Sequence, residues 1–456
     1  MAEENQSIEK VKGTYSFISL GCPKNLVDSE RMLGLLQLDG YQLVEDPKGA
    51  DFAVVNTCGF IEQARDESYA AIDEMLALKE DGDLRGVVVS GCLAERQKEE
   101  LLNDRPGIDS LVGVFGRDEV TRVADRLIGN LDEQQHVFRP APIRALNDTE
   151  RLRITPQHFA YLKISEGCDR LCTFCDIPRM RGKHATKPIE SVLAEATQLA
   201  EDGVKELIIV AQDTTYYGMD LYGEPRLTEL LQQLVQVDGI EWIRLMYFYP
   251  MYISDELITT IASSPKILPY IDMPLQHIND NMLRRMSRRV NKADTITTIN
   301  RLRSGIENLT LRTTLITGFP GETDAEFNEL LEFVQETEFD RLGAFTYSYE
   351  EMTPSSKMSD HIDEDVKLSR MESIMSAQRT IMQQLNESKI GTQIKVMIDR
   401  PVPNESTAYQ GRSHADAPDI DSTVFVTSHE AALSPGDIVD VEIVAVTGYD
   451  LVGSTQ

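Results

Sequence analysis

The sequence predicts an α/β chain in three successive parts: an open parallel sheet of the flavodoxin or Rossmann type, an open (β/α)6 partial TIM barrel, and a small all-β barrel of the OB kind. Three observations carry this prediction. Strand-like and helix-like patterns alternate over the first 130 residues, six further strand–helix units follow a proline-bearing break, and beyond about residue 390 only short strands remain. A chain of 456 residues has room for two or three domains. We expect them at 14–136, 158–389 and 390–456, with 137–157 as a linker.

The first part opens with the β-rich run TYSFISLGC, followed by SERMLGLLQLDG, where Met32, Leu33, Leu35 and Leu36 give a helix its apolar side and Gly40 ends it. DFAVVNTC is a second strand with a helix through IEQARDESYAAIDEMLALKEDG, and LRGVVVSGC is a third, followed by LAERQKEELLNDRPG. Strand, helix, strand, helix is the signature of a parallel sheet covered on its faces. The segment from residue 137 carries three prolines and little periodicity, as a linker does.

The second part offers the strands YLKIS, ELIIVA, WIRLMYF, LPYIDM, LTLRTTLIT and LGAFTYS. Between the first two, Ile189, Val192, Leu193, Ala196, Leu199 and Ala200 share one helix face, and Gly203 stops the helix. Six units are too few to close an eight-stranded barrel. A long helix from about residue 363 follows, and its stripe of Met371, Ile374, Met375, Ile381, Met382 and Leu385 reads as packing. The tail strands are QIKVMIDRPV, AYQGRS, STVFVTS and DIVDVEIVAVTG.

Composition excludes several functions. Against 45 basic residues stand 75 acidic ones, a net charge of −30, so the surface repels phosphate backbones in general. The acidity serves solubility or a basic protein partner. The opening MAEENQSIEK is polar, and no window is apolar enough to span a membrane. These features predict a cytoplasmic protein, and without coiled-coil periodicity a monomer.

All six cysteines fall in telling places. Cys168, Cys172 and Cys175 have the spacing C-x3-C-x2-C directly after the first barrel strand. In a reducing compartment such thiols bind metal more readily than they pair. Zinc prefers four ligands, and no fourth is offered nearby. Three thiolates can hold an iron–sulfur cluster and leave one iron open. Cys22, Cys58 and Cys92 each end a predicted parallel strand, so they gather at the edge where open α/β sheets bind ligands. Scattered buried cysteines are the plain alternative. The common edge favours a second cluster, again with an open iron.

The run CDRLCTFC resembles the cluster motif of the radical S-adenosylmethionine (SAM) enzymes, including the aromatic Phe174 before the last cysteine. The resemblance implies a 4Fe-4S cluster whose open iron chelates SAM, and a 5′-deoxyadenosyl radical that removes hydrogen from an unactivated carbon. With the second triad and the tail barrel, residues 14 to 453 resemble the methylthiotransferase family: an amino-terminal methylthiotransferase domain, a radical SAM core and a TRAM domain. That resemblance implies two 4Fe-4S clusters, on Cys22/Cys58/Cys92 and on Cys168/Cys172/Cys175. It also implies that SAM acts twice, as radical source and as methyl donor, turning C–H into C–S–CH3.

Two branches of that family act on different substrates, a transfer-RNA adenosine or an aspartate of the small-subunit ribosomal protein S-twelve. GCPKNLVDSERM, YLKISEGCDRLCTFCDIPRMRG with Asp169, and GRSHADAPDIDSTVFV resemble the protein-modifying, RimO-type branch. From residue 390 on, 3 basic and 10 acidic residues leave −7, a field that repels tRNA and attracts a basic ribosomal protein, free or within the ribosome. Among residues near SAM, the resemblance points to Gln212 and Asp213 for the amino group, unless they simply make the turn. Gly318 in ITGFPGET is expected near the adenine or as turn material, and Gln276 and Arg289 as ribose or carboxylate contacts. His277 reads as a strand-end polar residue. Arg179 and Arg181 either steady the cluster loop or meet a substrate carboxylate. The electron and sulfur donors are left open. Rival readings are the tRNA enzyme, an iron–sulfur electron carrier or redox sensor, which would complete its cluster with four cysteines, and a zinc-stabilised binding module, which metal analysis would separate.

Overall fold

A computed structural model of the chain describes residues 11–129, 134–429 and 432–455. The polar opening MAEENQSIEK and Glu430 of the tail's acids lie outside the described residues. The chain divides into two compact units, Met1–Ile154 with Asp176–Lys183, and Thr155–Cys175 with His184–Gln456.

In the first unit, β1 (Gly13–Ser19), β2 (Tyr41–Leu43), β3 (Phe52–Thr57), β4 (Gly86–Gly91), β5 (Ser110–Val112) and β6 (Gln135–Val137) form a sheet in the order β2-β1-β3-β4-β5-β6. Every pair is parallel. β3 and β4 are buried along their whole length, as continuous apolar strands covered on both faces must be. Val54 and Val88 enter one core with Met32, Leu33 and Leu36 of the helix Pro23–Leu38. Their neighbours Val55, Val87 and Val89 enter the other, with Ile72 and Met75 of the helix Glu62–Glu80. This is the flavodoxin-type doubly wound order, whose direction of winding reverses between β1 and β3.

The sequence shows three of these six strands. The others are three residues long, too short for a period to register. The first helix starts six residues before the expected SERM because Pro23, at its first turn, has φ already set for a helix. Residues from the expected linker lie along that helix: Leu152 donates its N–H to the Glu30 carbonyl, and Arg31 reaches the Thr149 carbonyl at 2.6 Å.

The second unit carries β7 (Phe159–Lys163), a short antiparallel ladder of β8 (Ser165–Glu166) with β9 (Ala185–Thr186), and then β10 (Glu206–Val210), β11 (Trp242–Leu245), β12 (Ile267–Asp272), β13 (Thr310–Thr317) and β14 (Arg341–Thr346). The main sheet runs β14-β13-β12-β11-β10-β7, all parallel and unclosed, which is the expected open six-unit barrel. Ile189, Val192, Ala196 and Leu199 are buried on one face of the helix Ile189–Glu201, and Gly203 takes φ +90° just after it. In the long helix Glu364–Glu387, Ile374 and Ile381 join the same core with Leu385 against it and Met382 is buried, whereas Met371 and Met375 of the expected stripe are only partly covered.

β15 (Gln393–Pro401), β16 (Ala408–Ser413), β17 (Val424–Thr427), β18 (Ile438–Thr447) and β19 (Asp450–Ser454) close a five-stranded barrel in the order β15-β16-β17-β19-β18. Alternate residues Val396, Ile398, Val424, Val426, Val441 and Ile443 fill it. Within the second unit this barrel meets the six-stranded sheet through buried ion pairs. Glu206, the first residue of β10, takes Arg244 of β11 at 2.7 Å and Arg412 of β16 at 2.6 Å. Arg341 pairs with Asp416, and Arg312 and the Tyr270 hydroxyl reach Asp421. The tail barrel therefore engages the sheet away from the strand ends that carry Cys168, Cys172 and Cys175.

Candidate functional site

In the first unit the three cysteines sit where three neighbouring parallel strands end. Cys22 caps the helix after β1, Cys58 follows β3, and Cys92 opens the helix Cys92–Gln97 after β4. β1 and β3 flank the point where the winding reverses, the place where open α/β sheets bind ligands. The turns are crowded. Gly21 has φ +90°, and a Cβ on it would come within 2.9 Å of the Cys58 Cβ. Gly91, at φ +91°, lies so close to Asn56 and Thr57 that no side chain fits. A glycine beside each cysteine (Gly21, Gly59, Gly91) is the local signal that these turns converge.

Cations surround these sulfurs. Arg181, 1% exposed, donates from Nε to the Cys92 sulfur at 3.3 Å, from Nη1 to Asp28 at 3.0 Å and from Nη2 to Asn25 at 3.1 Å. Asp28 also pairs with the buried Arg117, which pairs in turn with Asp148. Burial pushes the Cys92 thiol up to about 12, with Arg181 opposing. Burial likewise raises Cys58. For Cys22 burial is again the largest influence, yet Lys24, Arg181 and the amides of Asn25 and Lys24 together hold it below its ordinary value. Two sulfurs that are costly to ionise alone and a third already favoured as thiolate, beside buried guanidinium and ammonium groups, suit a bound cationic centre that keeps all three as thiolates.

In the second unit Cys168, Cys172 and Cys175 follow β8 in a loop pinned by its own backbone. Thr173 donates to the Met286 and Arg285 carbonyls at 3.0 and 2.8 Å and accepts from Ser355 N–H at 2.9 Å. Phe174 packs on Met282, Met286, Phe319 and Tyr347. The Cys168 sulfur accepts from Arg170 N–H at 3.3 Å, and burial pushes its thiol up to about 12. Among the described residues no three His, Cys, Asp or Glu side chains stand close enough to hold a single metal ion.

Other expected residues fall into distinct roles. Gln212 donates to Glu166 Oε1 at 3.0 Å, and Glu166 takes the buried Lys163 at 3.0 Å, while Gln212 Oε1 is buried without a hydrogen-bond partner. Asp213 is turned to Arg170 of the cysteine loop at 2.7 Å and to Thr215 and Tyr216 N–H of its own turn. Gln276 bridges to β13 beside Leu315 in a left-handed conformation, φ 72°. His277 is fully buried against Glu322. Gly318, at φ +71°, admits the side chain of Lys367, and its N–H meets Glu322 at 2.8 Å. The Arg289 side chain is exposed, whereas its neighbour Arg288 is buried with Nη1 4.0 Å from the Cys172 sulfur. Arg179 is half-exposed near Asp176, and Arg181 belongs with Cys92. Sequence reasoning missed Glu166, Lys163, Arg170, Tyr249 and Arg288. Arg288 and Arg289 are adjacent in SRRV, so pattern alone had no means to choose between them.

Three family models match the chain: "Uncharacterized protein family UPF0004" over residues 14–113, the Radical SAM superfamily over 162–334, and the TRAM domain over 390–455. A "Ribosomal protein uS12 methylthiotransferase RimO" of Lachnoclostridium phytofermentans is 46% identical over 440 residues, covering 96% of this chain and 99% of its own. The protein of that name from Clostridioides difficile is 46% identical, covering 95% and 97%, and that from Acetivibrio thermocellus 44%, covering 97% and 98%. Among solved structures, the radical SAM methyltransferase TsrM of Kitasatospora setae, with cobalamin and a 4Fe-4S cluster bound, superposes with a TM-score of 0.57 over 76% of this chain and 74% of its own. Its 13% identity makes that a likeness of fold.

Proposed function

The chain belongs to the RimO family of ribosomal protein uS12 methylthiotransferases, which are radical SAM enzymes, and from that premise we propose that it inserts a methylthio group at the β-carbon of an aspartate in the small-subunit ribosomal protein. The observation that carries the proposal is the pair of cysteine triads in one chain, one where three neighbouring parallel strands end and the other in a single loop that follows β7 and β8. Cys168, Cys172 and Cys175 would hold one 4Fe-4S cluster, and Cys22, Cys58 and Cys92 a second. With SAM bound, these groups would supply the radical chemistry that removes the β-hydrogen and the sulfur and methyl group that take its place.

The chain's own residues prepare that chemistry. Asp213 holds Arg170, and through it the cysteine loop, in place. Gln212, with its free carbonyl oxygen and its amide tied to Glu166, is positioned to accept from an ammonium group such as that of SAM. Gln276 and Gly318 sit at the C-terminal ends of β12 and β13 and complete the rim of the same barrel face. Acting on a ribosomal protein, the enzyme would work in the cytoplasm.

The test is direct. Anaerobically reconstituted protein with reductant, sulfide and SAM is offered the ribosomal protein and bulk tRNA together, and mass spectrometry locates any added methylthio group. Label on an aspartate of the protein supports the proposal. Label on tRNA adenosine overturns the substrate and keeps the chemistry.

A further inference from the structure

Tyr249, just beyond β11, belongs to none of the expected site residues, yet two arginines beside the second cysteine triad converge on it. The Arg170 guanidinium lies 4.1 Å from the Tyr249 ring centroid and that of Arg288 lies 4.3 Å from it. Arg170 sits two residues after Cys168, whose sulfur accepts its N–H. Arg288 reaches to 4.0 Å from the Cys172 sulfur. Each arginine is otherwise held by one strong acceptor, Asp213 at 2.7 Å for Arg170 and the Pro274 carbonyl at 2.6 Å for Arg288. The Tyr249 hydroxyl accepts from Arg289 N–H at 3.0 Å, which fixes the ring's edge to the turn that carries Arg288.

Two guanidinium groups this close to one ring repel each other unless something attractive lies at that point. The negative face of an aromatic ring is such a thing, and its attraction strengthens when the pair is desolvated. Tyr249 is 5% exposed and Arg288 8%. Tyr216 and Tyr252 also flank Arg170, at 4.9 and 5.5 Å. Tyr249 is the ring that both cations share.

We propose that Tyr249 is a positioning residue for the cysteine loop: its ring holds the side chain of Arg170, whose backbone N–H reaches Cys168, and the guanidinium of Arg288, 4.0 Å from the Cys172 sulfur, and so keeps positive charge beside the sulfurs that would carry the cluster. The inference rests on the cluster assignment above and adds to it a tuning role. Fixed cations beside cluster sulfurs stabilise the reduced, more negative state and raise the midpoint potential. Losing the ring frees both arginines to turn toward water and lowers that potential.

The experiment compares Tyr249→Phe with Tyr249→Leu in full-length protein whose first triad is removed by Cys22→Ala, Cys58→Ala and Cys92→Ala. Iron content, a redox titration followed by electron paramagnetic resonance, and hydrogen exchange of residues 166–175 in metal-free protein are the readouts. Phe keeps the ring face, so its potential and exchange should match the parent. Leu should bind the same iron, titrate at a lower potential and exchange faster in the loop. A parental potential in the Leu variant, or a Phe variant that behaves like Leu, overturns the proposal. If the Leu variant does not assemble, Arg288→Gln removes one cation and keeps the ring. Its potential must fall as well, and an unchanged value there also overturns the proposal. Absence of iron in the parent would instead refute the cluster assignment itself.

Discussion

Arg181 donates to the sulfur of Cys92 across 3.3 Å, although in sequence it stands only six residues after Cys175 of the other triad. The stretch Asp176–Lys183 belongs to the first compact unit, so the motif that supplies three cysteines to one site goes straight on to supply a cation to another. The same guanidinium holds Asp28 and Asn25, residues of the helix that Cys22 caps. One side chain therefore fixes the turns of Cys22 and Cys92 together.

Removing that side chain should cost the first triad its metal. Arg181→Ala leaves Asp28 with Arg117 still attached, so the fold should lose about 1–3 kcal/mol, less than the 3–5 expected for a wholly orphaned buried charge. Iron and acid-labile sulfide, measured with Cys168, Cys172 and Cys175 replaced by Ala, should fall well below the parent, and Arg181→Lys should recover part of both. Full iron content in the Ala variant would show that the contact is incidental.

The two triads should also load independently. Replacing Cys22, Cys58 and Cys92 by Ala should halve the iron of reconstituted protein and keep reductive SAM cleavage, because the second triad lies in a separate compact unit. Replacing Cys168, Cys172 and Cys175 should halve the iron too and abolish the cleavage. Iron analysis paired with a 5′-deoxyadenosine assay separates these outcomes from loss of fold.

Much of this was legible in the sequence, and the omissions follow a rule. Long apolar strands and one-sided helices announce themselves, so β3, β4, the six barrel strands and the helix Ile189–Glu201 were all readable. The cysteines were readable too, because a strand's end can be placed even when its register cannot. What pattern cannot show is which long polar side chain bends inward. Arg181, Arg288 and Arg170 are ordinary basic residues by sequence, and only the packing of Asp28, Pro274 and Tyr249 around them decides their burial. Gly318 was expected near a ligand, and the structure adds that Lys367 fills the space a side chain would need.

Glu206 tests how the tail barrel is fastened. It is fully buried between Arg244 and Arg412, and its carboxyl is held below the ordinary range because the two guanidinium groups outweigh burial, the largest single influence. Glu206→Gln keeps the shape and leaves the buried Arg244 without its carboxylate, while Arg412 keeps Asp399. We expect a loss of about 3–5 kcal/mol, seen as a lower thermal midpoint and easier proteolysis near residue 390, with the iron content of both triads unchanged.

Acid should loosen the same seam in two stages. His414 is held down to about 4 from an ordinary 6.5, chiefly by burial, with Lys389, Arg244 and Arg341 adding and Asp416 opposing. Between those values the unfolded chain binds the extra proton, so stability falls as pH falls from about 6.5 to 4, by up to about 3 kcal/mol. Asp399 and Asp416 are depressed carboxylates, burial notwithstanding, because Arg412 with His158 and Arg341 respectively hold their charged forms. Their contribution is present above their ordinary value of 3.8 and disappears below it. Denaturant midpoints measured from pH 7 to 3 should fall in both ranges, and His414→Gln should flatten the upper one alone.

The tail's acids divide into two populations, and only one can meet a partner. Asp399, Asp416 and Asp421 are spent on ion pairs inside the second unit, two of them with core arginines that a count from residue 390 leaves out. The −7 of the tail therefore overstates its outward field, while Glu405 and Asp419 stay exposed, as does Asp440 in its surface pair with Lys395 at 3.3 Å. A basic ribosomal protein steered by this barrel should respond to the outer acids alone. Glu405→Gln combined with Asp440→Asn should raise KM for that protein by about threefold at low salt and leave kcat unchanged, since rim charges act on encounter rather than on chemistry. The difference should shrink toward 0.5 M salt, where screening falls to a few ångströms. An unchanged KM at low salt would assign substrate recognition to the barrel face that carries the cysteines, and the tail's exposed acidity to solubility.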